Sequence, residues 1–205
     1  MESKAHWEHI YESKGARDVS WFQEHAAQSI ELIRKTGVGL GARIIDVGGG
    51  ASTLVDDLLD EGYSEITVLD ISETALRRSQ DRLGRRASRV TWLESDITQA
   101  ELNSDFYDVW HDRAVFHFLR DEEMRRRYVT AARHGLKLKG HIVVATFGPG
   151  GPERCSGLDV VRYSADRLHA EFGAPFVKVA SKTQVHTTPW GTEQKFMYCY
   201  CRITC

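Results

Sequence analysis

The sequence predicts an α/β fold: a doubly wound, seven-stranded, mostly parallel sheet that finishes in an antiparallel C-terminal hairpin. Three observations predict it. Short apolar runs alternate with helix-periodic stretches from residue 43 to residue 147, the rhythm of a parallel sheet with helices on both faces. The first of those runs closes on an acid and three glycines, Asp46-Val47-Gly48-Gly49-Gly50. The last third then abandons the alternation for two long strand-like runs, about 176–187 and 193–204. Their connection around Thr188-Pro189-Trp190-Gly191 is long enough for a hairpin and too short for a crossover.

The elements follow in order. Trp7, Ile10 and Tyr11 recur at helical spacing, and a second helix led in by Ser20 or its neighbours carries Ile30, Leu32 and Ile33 inward. Gly37, Gly39 and Gly41 break it before the first strand, 43–47. Thr53 is the expected cap of a helix bearing Leu54, Val55, Leu58 and Leu59, with Gly62 at its end. The second strand is 65–69, and Ser72 caps the next helix, which ends near Gly84. Strands at 90–93 and 107–111, a helix over 121–136, a strand at 141–147 and a short helix from Ser164 complete the series. Trp92 and Trp110, inside strands, read as core.

At 205 residues the chain has length for one domain with a substantial core. A hydrophobic content of 41%, a charged content of 27% and a net charge of −2 give no electrostatic ground for expecting nucleic acid or a membrane surface as partner. The basic clusters Arg85-Arg86 and Arg125-Arg126-Arg127 read as solvated helix faces. No apolar run approaches the ~20 residues of a bilayer span, and Met1 to Trp7 lacks the apolar core of a signal peptide. Three of the four cysteines crowd at the end, which is no disulfide framework, so a reducing cytoplasm is the expected location. Cys199, Cys201, Ile203 and Cys205 share one strand face and read as small apolar packing, not as metal ligands.

The glycine turn carries the chemistry. Glycine lets the backbone turn sharply and approach a ligand closely, and in open α/β sheets such turns sit at the carboxyl ends of strands, where ligands bind. Gly48-Gly49-Gly50-Ala51-Ser52-Thr53 has threonine at the sixth position of the dinucleotide pattern and no Gly-Lys-Ser/Thr of a P-loop. Asp46 before the glycines would repel a pyrophosphate and tolerate an ammonium. Twenty residues past Gly50, Asp70 ends the second strand, where a carboxylate can accept both hydroxyls of a ribose. A nucleoside with a cationic tail is the ligand these features describe.

Asp46-Val47-Gly48-Gly49-Gly50, Asp70 and Asp96-Ile97 together resemble the motifs of class I S-adenosylmethionine-dependent methyltransferases, and the resemblance covers the chain from about residue 40. Trp7, Tyr11, Trp21 and Phe22 further resemble small-molecule members, the thiopurine-type or type 12 branch, where such aromatics close over cofactor and substrate. One departure is Ser52, where many members have a third glycine. The resemblance implies a Rossmann-like fold whose seventh strand runs antiparallel between the fifth and sixth. It implies a helical lid over 1–40, a catalytic core over 41–205 and S-adenosyl-L-methionine as cofactor. It assigns Gly48, Gly49 and Gly50 to the methionine part, Asp70 to the ribose, and Asp96 and Ile97 to the adenine ring. Ile71 and Phe116 would sandwich that ring, His111 would lie by the ammonium, Tyr11 would bond the carboxylate and Trp21 would cover the site. His117 is the candidate general base, with Asp112 and His186 as further candidates.

The expected activity is methyl transfer to a small molecule by in-line displacement, in a monomer or weak homodimer. Two other readings stand beside it. Gly62-Tyr63 and Asp70-Ile71-Ser72-Glu73 also resemble eukaryotic protein methyltransferases, although Asp112 to Phe118 contains no Asn-Pro-Pro-Tyr signature. The third reading is a cofactor-binding protein without catalysis, since a fold does not name a substrate.

Overall fold

The computed structural model describes residues 4–15 and 17–204. Its centre is a seven-stranded sheet in the order β3-β2-β1-β4-β5-β9-β8. The five parallel members are β1 (Arg43–Val47), β2 (Glu65–Asp70), β3 (Val90–Glu94), β4 (Tyr107–Arg113) and β5 (Leu136–Phe147). β8 (Phe176–Thr187) and β9 (Glu193–Ile203) form the terminal hairpin, and β9 lies antiparallel between β5 and β8 as expected. A two-strand ribbon, β6 (Arg154–Cys155) with β7 (Leu158–Asp159), lies in the long loop after β5.

Strand alternation divides the core between the two faces of the sheet. Ile44, Val109, Ile66 and Val68 pack with α2 (Ala27–Lys35), α3 (Leu54–Asp60) and α4 (Glu73–Leu83). Their neighbours Ile45, Val47 and Trp110 face the other way, toward α5 (Glu122–Gly135) and α6 (Ala165–Phe172). Trp110 is fully buried and its indole N–H donates to Tyr128 Oη at 2.9 Å; Trp92 is half-buried. Cys199, Cys201 and Ile203 share the α5–α6 face, while Cys205 lies outside the described residues.

Local chemistry sets the helix starts. Ser72 Oγ accepts from Ala75 N, Asp121 from Glu123 N and Met124 N, and Ser164 from Arg167 N. Thr53 does not cap α3: its hydroxyl donates to Gln23 O at 3.1 Å, and Ser52 Oγ accepts from Leu54 N at 3.1 Å instead. α2 also starts later than Ser20, at Ala27, and residues 17–26 run as turns and bends. β4 extends to Arg113, and β5 starts directly out of α5.

The first helix, α1 (Lys4–Ser13), sits at the carboxyl ends of the parallel strands. Glu8 accepts from Ser72 Oγ, Glu73 N and Thr74 N at the start of α4, and Arg78 Nη1 donates to Lys14 O. The basic clusters are matched by acids: Arg86 pairs with Asp60, Arg125 with Glu171, and Arg126 and Arg127 with Glu123. No helix among the described residues is long and apolar enough to cross a membrane.

Candidate active site

A cleft lies over the carboxyl ends of β1, β2 and β4, where an open parallel sheet presents its ligand site. It encloses about 640 Å³ of non-atom space, some of it open solvent, within the roughly 300–1,000 Å³ of small-molecule sites. Asp70, Ile71 and Ile97 line one end. Arg113, Phe118 and Cys155 line the other. Trp7, Tyr11 and Trp21 form the cover, with Trp7 edge-on to Phe118 at 5.0 Å and to Trp21 at 6.2 Å.

The glycines serve two purposes. Gly48 reaches the cleft at φ +69°, and a Cβ there would lie 1.9 Å from Val115 Cγ2. Gly49 and Gly50 instead make room for carboxylates: added Cβ atoms would meet Asp46 Oδ2 and Asp70 Oδ2, each at 2.4 Å. Asp70 is 6% exposed, and its Oδ1 accepts from Ser72 N at 2.9 Å. Burial pushes its carboxyl up to about 7, and the nearby Asp46 adds to this against the backbone amides of Ser72, Gly50 and Ile71. Tyr11 is equally enclosed. Burial and Asp70 raise its phenol well above the ordinary range, so it remains a donor.

Several sequence expectations fall elsewhere. Asp46 is buried away from the cleft, with Oδ1 2.7 Å from His111 Nδ1 and Oδ2 unpartnered. His111 lies two residues inside the end of β4, and its other ring nitrogen meets Ser29 Oγ at 2.8 Å, so its ring is consumed by this buried chain. Phe116 is a correction. It is fully buried among Tyr128, Tyr163 and Phe172, leaving no face for an adenine ring, while Val115 and Phe118 line the cleft.

His117 is also a correction. The ring is fully buried, its Nδ1 accepts from Phe147 N at 3.2 Å, and it packs against Phe118 and Phe147. Burial, aided by the Arg113 charge, pushes it down to about 3, so it stays neutral and cannot reach a substrate proton. Asp112 is spent on Tyr128 Oη and the amides of Val115 and Phe116. His186 meets Ser20 O at 2.7 Å, tying the Trp21 segment to the hairpin. Asp96 Oδ1 accepts from Thr98 N and Thr98 Oγ1, and its neighbours Ser95 and Ile97 are the ones in the cleft lining.

Sequence reasoning missed Arg113. Its Nε donates to Tyr198 Oη at 3.2 Å and its Nη1 to Trp21 O at 3.0 Å, with the guanidinium 4.2 Å from the Phe196 ring centroid. Among the described residues no group of three or more His, Cys, Asp or Glu is placed to hold a metal ion.

The donor set fits an adenosyl ligand with an amino-acid tail: a buried carboxylate at the end of β2, a side-chain-free turn at Gly48, and apolar walls at Ile71, Ile97 and Val115. This fold and the motifs at Asp46–Gly50, Asp70 and Asp96–Ile97 are those of class I S-adenosylmethionine-dependent methyltransferases, a family whose cofactor is S-adenosylmethionine. Residues 44–140 match the family described as "Methyltransferase domain".

Among curated proteins, the chain is similar to the eEF1A lysine and N-terminal methyltransferase of Mus musculus, 28% identical over 122 residues. That match covers 59% of this chain and 17% of the relative, so the chain spans a small part of that protein's length. The EEF1A lysine methyltransferase 2 of Mus musculus is 23% identical over 160 residues, covering 71% of this chain and 66% of the relative.

Two solved structures share the fold. One, described as "Conversion of a Disulfide Bond into a Thioacetal Group during Echinomycin Biosynthesis", has a TM-score of 0.80 and 16% identity and covers 98% of this chain and 92% of its own. The other is the Burkholderia thailandensis 1,6-didemethyltoxoflavin-N1-methyltransferase with 1,6-didemethyltoxoflavin and S-adenosylhomocysteine bound. It has a TM-score of 0.69 and 17% identity and covers 96% of this chain and 81% of its own.

Proposed function

We propose that the protein transfers a methyl group from S-adenosylmethionine to a small-molecule acceptor, within one domain in which α1 and the Trp21 segment act as a lid, whereas α2, expected to share that role, packs on the sheet. The observation that carries this reading is the aromatic cover. Trp7, Tyr11 and Trp21 close the cleft from above, and Glu8 and His186 fasten the segments that bear them. A cleft roofed this way excludes water and admits a compact acceptor more readily than a side chain on a folded protein.

In this reading Asp70 accepts the ribose hydroxyls, worth roughly 1.5–3 kcal/mol per charge-assisted bond. Ile71 flanks the adenine, the Ile97 amide reads its edge, and Tyr11 donates to the cofactor's carboxylate. Gly48 leaves room for the methionine chain. The chemistry the cofactor supplies is a methyl on positively charged sulfur, which passes to an acceptor lone pair as the carbon–sulfur bonding pair returns to sulfur.

The chain's own part is positioning, which can supply effective molarities of order 10⁵ M or more. Apart from Asp70, which this reading gives to the ribose, the described lining offers no base for neutral pH: Tyr11 stays protonated, and burial pushes the Cys155 thiol up to about 11. The acceptor therefore arrives with its lone pair available, or loses its proton to water.

Protein lysine methylation is the second reading, favoured by the 28% identity to the eEF1A lysine and N-terminal methyltransferase. Incubation of whole lysate with cofactor radiolabelled on the methyl group separates the two. Label in the small-molecule fraction supports the first reading; label confined to protein bands supports the second. Cofactor binding with no label in either fraction would leave a protein that binds without catalysis.

A further inference from the structure

Arg113 is a cation in the cleft lining. No carboxylate among the described residues pairs with it, and its Nη2 is buried without a hydrogen-bond partner. Cys155 feels that charge and could offset it as a thiolate, but burial pushes the thiol up to about 11, so it stays neutral. A half-buried cation whose Nη2 is enclosed without a partner is costly unless a ligand completes it. The side chain is also held in place: Tyr198, the Trp21 carbonyl and the Phe196 ring fix three sides of the guanidinium and leave Nη2 enclosed without a partner.

Its position decides which ligand it meets. The residues assigned above to the adenosine come from the ends of β2 and β3, at one end of the cleft. Arg113 leaves the end of β4 and leans on Phe196 and Tyr198 of β9, on the opposite side in the strand order. The walls there are Phe118, Trp7 and Trp21. Resting on the small-molecule reading above, we infer that Arg113 is the specificity residue for the acceptor. It selects a flat, mostly apolar molecule carrying one carboxylate or comparable anion, which takes its hydrogen bond from Nη2 while the aromatic side chains cover the ring.

The test uses the full chain saturated with S-adenosylhomocysteine. One- and two-ring aromatic carboxylates, benzoate and indole-3-carboxylate among them, are titrated by calorimetry beside their carboxamides. The wild type is expected to bind carboxylates at least 10-fold more tightly than the matched amides. In Arg113→Gln that preference disappears, a roughly 10- to 100-fold loss for the carboxylates, and Arg113→Lys keeps part of it. S-adenosylhomocysteine affinity stays within about twofold in both variants, which also reports that they fold.

Three results overturn the inference. One is a wild type with no preference for carboxylates, or with no binding of any member. Another is a preference that survives Arg113→Gln. The third is weakened S-adenosylhomocysteine binding in Arg113→Gln with unchanged binding of 5′-methylthioadenosine, which assigns Nη2 to the cofactor's own carboxylate. Failure of the small-molecule reading is seen separately, as label in protein bands.

Discussion

Glu8 caps a helix that begins 65 residues after it. Its carboxylate oxygens accept from Glu73 N at 2.8 Å, Ser72 Oγ at 2.9 Å and Thr74 N at 3.1 Å, so α1 supplies the anion that the positive end of α4 calls for. The contact joins the cover of the cleft to the turn that bears Asp70. Cofactor affinity and attachment of α1 are therefore linked.

Glu8→Ala is expected to lose roughly 1–2 kcal/mol, the usual worth of a helix cap, and to weaken S-adenosylhomocysteine binding several-fold. Hydrogen exchange should show faster exchange in α1 with β1 and β4 unchanged. Burial alone would raise the Glu8 carboxyl, but the bonds from Thr74, Ser72 and Glu73 outweigh it and hold it below the ordinary carboxylate range. Its contribution is thus present above the unfolded carboxylate pKa, about 4.3, and is lost as pH falls through the lower folded value. Protection of α1 that is equal in Glu8→Ala and wild type at pH 7 would contradict the capping role.

Asp70 predicts the opposite pH dependence. Its folded carboxyl lies at about 7, above an unfolded value near 3.9. The stability it lends the free protein is complete below the unfolded value and is lost as pH rises through about 7. Ribose hydroxyls need the ionised form, so S-adenosylhomocysteine should bind more tightly at pH 8 than at pH 6. Calorimetry at the two pH values, with Asp70→Asn as the flat control, checks this.

Replacing Gly48 by alanine should disable the site. The new Cβ would enter Val115 Cγ2 at 1.9 Å from a backbone at φ +69°, a conformation disfavoured for residues with a side chain. A loss of roughly 1–3 kcal/mol in stability and at least 10-fold weaker cofactor binding are expected. Thermal unfolding and calorimetry of Gly48→Ala measure both, and near-wild-type values would show that Val115 and the turn yield freely.

His117→Asn separates structure from catalysis. The substitution leaves a cavity among Phe118 and Phe147 and disturbs the bond to the Phe147 amide, at roughly 1–3 kcal/mol. Turnover per folded molecule, and its pH profile between 6 and 8, should be unchanged within a few-fold. A basic limb that vanishes in the variant would restore His117 as a general base.

Much of this site was legible because its signals are local. Gly48, Asp70 and Ile97 are tied by the spacing of a strand, a turn and the next strand end, and all three reach the cleft. Tyr11 and Trp21 were legible as large amphipathic side chains ahead of the first strand. The β4 end was not, because its reading depends on which way a strand and a turn rotate. Trp110 and His111 point to opposite faces, so the polar run His111-Asp112-Arg113 does not show that only Arg113, the last residue of β4, enters the cleft. One turn of 3₁₀-helix over Phe116–Phe118 then sends Phe116 into the core and Phe118 to the cleft. Helix-cap competition explains Thr53: two adjacent hydroxyls were available, and the Gln23 carbonyl drew one of them away.

The central claim is that Asp70 and the glycine turn form a site for the adenosyl cofactor. The most direct measurement is calorimetric titration of the purified protein with S-adenosylhomocysteine, run beside Asp70→Ala. The account predicts saturable binding at one site per chain, with most of the affinity lost in the variant. No binding by the wild type, or equal affinity in Asp70→Ala, would contradict it.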